Sequence, residues 1–160
     1  MEKELRSGPL KFYKGLGAVQ FTVLPPRWDD KGYMSKQGAI LLEAAPSSGR
    51  QQWDWDQKIT FAISITDICN LVDMDPAKRR IFHDHQDTPK VLEFQAGEGD
   101  YENTYMMNLS EGKGSGRRTV RVPFSSGEYQ ILMRLLVQVS PLMIGWTDNV
   151  VEAQAQRRNS

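Results

Sequence analysis

The sequence predicts an α+β domain made mainly of antiparallel strands. Three observations predict it. Apolar stretches are cut by turn residues at roughly ten-residue spacing from position 11 to position 122; three of them alternate strictly between apolar and polar side chains; and one long amphipathic stretch follows the last. At 160 residues the chain has room for one domain with a real core and is too short for two ordinary ones. Residues 11–146 are taken as that domain, with a flexible N-terminus over 1–10 and a polar, disordered tail over 147–160.

The strand candidates are 11–14 running on into 18–24, then 39–45, 58–64, 80–85, 91–95, 104–109 and 119–122, about eight in all. Between them stand Pro25-Pro26, the stretch 46–49, the stretch 87–89, the stretch 97–100 and the glycine-rich 112–116, which is the punctuation of loops. Val19, Phe21 and Val23 alternate with Gln20 and Thr22; Ile59, Phe61 and Ile63 with Lys58, Thr60 and Ser64; Val120 and Val122 with Thr119 and Arg121. A period of two sends one set to the core and the other to water. The wet set is hydroxyls, amides and bases, with almost no acids.

Two helices are expected. A short one covers 65–72, with Thr66 and Asp67 as capping residues. A long one opens at Ser125, whose partner Glu128 stands three residues on, the reciprocal capping-box spacing. Tyr129, Leu132, Leu135, Leu136, Val139 and Met143 recur at helical spacing and give it an apolar stripe, and Pro141 should break it before Gly145-Trp146.

Charge narrows the function. Twenty basic and twenty acidic residues cancel, so nothing here coats a polyanion by bulk charge, and any binding surface must come from segregated charge. Acids gather at Asp29-Asp30, Asp54 with Asp56, Asp73 with Asp75, and Glu98, Asp100 and Glu102; bases gather at Lys11 with Lys14, Lys78-Arg79-Arg80, and Arg117-Arg118 with Arg121. The longest apolar stretch, 131–146, is interrupted by Arg134, Gln138, Ser140 and Pro141, so no membrane span is expected. The single cysteine, Cys69, cannot close an internal disulfide and is expected as a buried, reduced thiol. The charged start, Met1 to Glu4, has no leader pattern, so the chain reads as the mature part of a protein.

Catalytic patterns are missing. There is no nucleophile elbow, P-loop or dinucleotide fingerprint, and 112–116 lacks the helix that a phosphate cradle needs. His83 and His85 could share a metal only with a carboxylate as third ligand; the plainer reading is one histidine packed and one exposed. The expectation is a non-enzyme without metal or cofactor. Trp53 and Trp55 read as half-buried core, while Tyr13 between Lys11 and Lys14 offers stacking and phosphate contact together. The expected binding residues are Lys11, Tyr13, Lys14, Lys36, Lys58 and Arg121, with Arg117 and Arg118 in support; Lys36 is placed in a turn before Gly38. The competing reading is a scaffold for protein partners whose polar faces are merely solvated.

The order of segments resembles the Whirly family. The resemblance rests on 12–19 (Phe-Tyr-Lys-Gly-Leu-Gly-Ala-Val), 41–46, 55–58 leading into 61–68, Phe82-His83-Asp84, Val91-Leu92, Asn108-Leu109-Ser110 and 139–146, all in the family's order. Leu16 and Gly17 depart from the plant pattern, where Lys and Ala stand. The resemblance implies two four-stranded antiparallel sheets packed crosswise, buttressed by helices, in a homo- or hetero-tetramer closed by Leu132, Leu135, Leu136 and Val139 of the long helix. It also implies single-stranded RNA or DNA bound on the sheet surfaces with little sequence preference. The departure at 16–17 points to the kinetoplastid branch: guide RNA and messenger RNA annealed during mitochondrial editing. The alternative it implies is plant-type single-stranded DNA binding, in a plastid, mitochondrion or nucleus.

Overall fold

The computed structural model describes residues 8–85, 88–147 and 155–159, with the side chain of His85 outside that description. In chain order it contains β1 (Leu10–Tyr13), β2 (Gly17–Leu24), β3 (Arg27–Trp28), β4 (Met34–Lys36), β5 (Ala39–Gly49), β6 (Gln52–Trp53), β7 (Ile59–Ile63), α1 (Ile65–Asp73), β8 (Lys78–His85), β9 (Thr88–Ala96), β10 (Thr104–Glu111), β11 (Arg118–Ser125), α2 (Ser126–Gln138) and α3 (Ser140–Met143). The first sheet runs β1-β2-β5, with β5 pairing both β7 and, at its far end, the short β6. The second is the meander β11-β10-β9-β8, and β3 with β4 makes a separate two-stranded hairpin.

Alternation builds the interior. Val19, Phe21, Ile40, Leu42, Ala44, Ile59, Phe61 and Ile63 from the first sheet meet Ile81, Leu92, Phe94, Met107, Leu109, Val120, Val122 and Phe124 from the second in one buried cluster. Residues of opposite parity therefore point away from the sandwich on both sides. Where β2 meets β11 the backbones nearly touch: a Cβ on Gly17 would stand 2.7 Å from the Arg121 carbonyl oxygen, which is why no side chain fits there.

Helices α1 and α2 start as capping boxes. Ser125 and Glu128 cap α2 reciprocally, Ser125 N–H donating to the Glu128 carboxylate at 2.9 Å and Glu128 N–H to Ser125 Oγ at 3.1 Å. The cap of α1 is Ser64, with Asp67 at its third position, rather than Thr66 and Asp67 as the sequence suggested. Phe94 and Tyr105 pack on Tyr129 of α2 at 5.5 and 4.1 Å between ring centroids, and Leu132 and Leu136 continue inward from it. Pro141 sits in the first turn of α3, so α2 stops at Gln138.

Several expectations need correcting. Residues 11–24 are not one running strand but a hairpin, closed by Lys14 N–H donating to Gly17 O at 3.0 Å. Strands β3, β4 and β6 are two or three residues long, too short to show any period. The first sheet accordingly has five strands rather than four. Cys69 is exposed, because α1 buries Ile68 and Leu71 and the next position along turns toward water. In the tail, residues 155–158 form one helical turn, from Ala, Gln and two Arg, all good helix formers.

Candidate nucleic-acid interface

On the outward face of the first sheet the strand register lines up Lys11, Gln20, Glu43 and Thr60 in one row, and Tyr13, Ala18 and Ala45 in the next. Lys11 and Tyr13 are exposed, while Phe12 between them turns inward and meets Phe124 edge-on at 4.9 Å. Lys58, one residue before β7, reaches the carboxylate of Glu43, which also accepts Gln20 Nε2 at 2.9 Å. The Lys58 bond, backed by Gln20, outweighs burial and holds the Glu43 carboxyl below its ordinary range. The wet face thus carries an acid at its centre, on a strand where the sequence showed no alternation.

Beside this row lies an open recess lined by Tyr13, Lys14, Gly15, Gln51 and Trp53. The Tyr13 and Trp53 rings stand 4.8 Å apart, tilted by 51°. Trp53 Nε1–H donates to Lys14 O at 2.9 Å, which fixes the indole while leaving it half-buried. Gln51, at the turn before β6, has a φ of +56°, a left-handed conformation that is uncommon for a residue with a side chain. The recess joins residues 13–15 to residues 51–53 across the sheet edge. Sequence reasoning named Tyr13 and passed over Trp53, whose spacing from Trp55 gave no hint of this contact.

The other expected residues scatter. Lys14 Nζ holds both carboxylate oxygens of Glu128, at 2.7 and 2.9 Å, and so serves the start of α2. Burial pushes Glu128 up, but Lys14 and the Ser125 backbone N–H outweigh it and keep its carboxyl below the ordinary range. Lys36 is in a strand, β4, not a turn; it pairs with Arg27 on the small hairpin, which leans its Trp28 ring on Gly145. Arg118 points between the sheets, in a row with Glu111, Lys90 and His83, and donates to Gln57 O at 2.9 Å and Glu111 Oε1 at 2.8 Å. Arg118 first, then Lys90, holds the Glu111 carboxyl below its ordinary range against burial. His83 Nε2 lies 2.9 Å from Asp67 Oδ2 and its ring stacks on Phe61, which makes it the packed histidine. Arg117 and Arg121 are exposed on the opposite side of the sandwich, with Arg117 Nη2 donating to Ser110 Oγ at 3.2 Å. The eight expected binding residues therefore do not form one patch.

The expected subunit-interface residues divide as well. Leu132 and Leu136 are 1% and 3% exposed, packed in the protomer's own core. All four border an apolar cleft of about 390 Å³ with Leu10, Phe21, Val23 and Ile40, Leu132 and Leu136 at its buried floor and Leu135 and Val139 more open. The stripe was wider than one surface because its two edges serve different neighbours.

The site is thus a two-sheet sandwich with bases and aromatic rings on its outward faces, and no group of three metal-binding side chains converges among the described residues. The family follows from comparison with known sequences: the Whirly transcription factor model matches residues 12–135, and the chain belongs to the Whirly family. It is 30% identical, over 84% of its length, to the Arabidopsis thaliana chloroplastic single-stranded DNA-binding protein WHY1, and spans 56% of that relative. The mitochondrial WHY2 of the same plant is 22% identical over 86% of this chain and 63% of its own. Crystal structures of Arabidopsis thaliana WHY3 and WHY1 superpose with TM-scores of 0.80 and 0.75 at 26% and 29% identity, covering 97% and 87% of this chain and 99% and 92% of theirs. This is the α+β Whirly fold. The guide-RNA expectation loses its footing here, since these relatives are plant single-stranded DNA-binding proteins.

Proposed function

We propose that this chain binds single-stranded DNA on the outward face of the first sheet, in a plant-type organellar role, without catalysis. The observation that carries the reading is the exposed Lys11 and Tyr13 with the Tyr13–Trp53 recess: a cation without an ion pair among the described residues, for a phosphate, beside two rings for a base. Every base has a π-face and every phosphate is alike, so sequence preference is weak. The names of the relatives support DNA over RNA and place those proteins in chloroplasts and mitochondria.

The test is a salt titration of binding to mixed-sequence single strands. Lys11→Ala lowers the slope of log affinity on log salt by about 0.7, and Tyr13→Ala costs about 1–3 kcal/mol with the slope unchanged. If both variants bind like the parent, the strand does not lie on this face. Assembly into a tetramer is part of the proposal, through the cleft of Leu10, Val23, Leu135 and Val139, whose apolar surface a lone protomer leaves in water. Leu135→Asp then elutes as a smaller species; a tetramer that survives it rules this surface out.

A further inference from the structure

Most of the polar groups around the Tyr13–Trp53 recess are committed to the fold. The Lys14 ammonium is held by Glu128, the Trp53 indole N–H donates to Lys14 O, and Gly15 brings no side chain. Tyr13 contributes a ring with one hydroxyl. Gln51 differs from its neighbours: it is exposed beside the recess, and its carboxamide makes no hydrogen bond among the described residues.

Gln51 is also held in a conformation that its residue type avoids. Strands β5 and β6 are joined through Arg50 and Gln51, with Gly49 and Gln52 as the closing pair. Gln51 has a φ of +56°, whereas Arg50 stays outside that region. A positive φ at the second residue of such a turn calls for glycine or asparagine, because a Cβ there crowds the following carbonyl. The other residue with a side chain and a positive φ, among those described, is Asn103, whose short amide suits it. The longer side chain of glutamine has no local bond of that kind to offset the crowding. The backbone on either side keeps it there, Asp54 N–H donating to Pro46 O at 2.9 Å and the Ser47 hydroxyl to Gly49 O at 3.2 Å. Strain held in place at the rim of an open site points to work for the side chain that bears it.

A carboxamide presents an acceptor oxygen beside N–H donors. Each of the four bases carries a donor next to an acceptor on its pairing edge, and an unstacked base leaves that edge open. Half a turn of the amide exchanges its two ends, so one glutamine suits every base and adds little sequence preference. We infer that Gln51 reads the pairing edge of a base stacked on Tyr13 and Trp53, and that the recess therefore takes bases whose edge no complementary strand has filled. The inference rests on the single-strand reading above and deepens it. Rings and phosphate contacts hold any strand, while Gln51 engages only an unpaired base.

Oligomers of thymidine and of N3-methylthymidine, equal in length, are titrated onto the full chain. The methyl group leaves the ring face and the phosphates in place and blocks the pairing edge. The parent is expected to bind the methylated strand about tenfold more weakly, at an unchanged salt slope. Gln51→Gly binds both strands alike, with the affinity that the parent shows for the methylated one. Its Tm rises by about 2 °C, because glycine takes a positive φ without crowding. A parent that binds neither strand sinks the single-strand reading and this inference with it. A parent that binds both equally overturns the inference alone, and so does a Gln51→Gly protein that still discriminates between them. A Tm that falls in Gln51→Gly overturns it too, since the side chain would then serve the turn and not the base.

Discussion

Two rows of charged residues cross this molecule, and they sit in opposite surroundings. Lys11, Gln20, Glu43 and Thr60 lie on the outward face of the first sheet; Arg118, Glu111, Lys90 and His83 lie at one end of the space between the sheets. Each holds at least one base and a single acid. In the inner row the acid has two cations, Arg118 at 2.8 Å and Lys90 at 3.5 Å, and Lys90 Nζ also donates to Thr60 O at 2.7 Å, which ties sheet to sheet. In the outer row Glu43 takes Lys58, and Lys11 has no ion pair among the described residues. A base is available to a ligand only when the fold has not already given it a carboxylate.

The largest effect that separates the rows is on stability. Glu111→Ala strands two partly buried cations and lowers unfolding free energy by about 2 kcal/mol, read from a denaturant midpoint, with strand affinity hardly moved. An equal loss of affinity would mean that the inner row also touches the ligand. Next is Glu43→Gln, which releases Lys58: affinity rises about threefold and the salt slope steepens by about 0.7. No gain would show that Lys58 cannot reach a phosphate even when free. Arg118→Ala is expected to leave the slope where it was, since its guanidinium faces Gln57 and Glu111. The smallest effect is on pH. Glu43, Glu111 and Glu128 are held below the ordinary glutamate value of 4.5, so what they contribute is complete above that pH. It is lost as pH falls below 4.5 through their folded-state values, and the Glu111→Ala protein loses less over the same range, which thermal melts at stepped pH will show.

Much of the fold was legible because its signals are local. The period of two in Ile59, Phe61 and Ile63 fixed which way Lys58 and Thr60 point, and Ser125 with Glu128 marked the start of α2. The fate of individual bases was not legible, because their partners are remote: Lys14 meets Glu128 across 114 positions and Arg118 meets Gln57 across 61. Leu132 and Leu135 look alike in a helical stripe, and only the packing of α2 on the sandwich buries the first in the core and leaves the second partly open on the cleft. The orientation of β8 was not legible for a related reason: its two arginines, histidine and aspartate show no clean alternation that would mark Phe82 as facing water.

Lys14 closes the β1–β2 turn with its N–H, holds the Trp53 indole with its carbonyl and neutralises Glu128 with its ammonium. Three parts of the molecule are thus bolted to one residue: the aromatic recess, the hairpin and the cap of the helix that borders the apolar cleft. Were a strand to wedge a base between Tyr13 and Trp53, as proposed, Lys14 is the residue through which the displacement would reach the cap of α2.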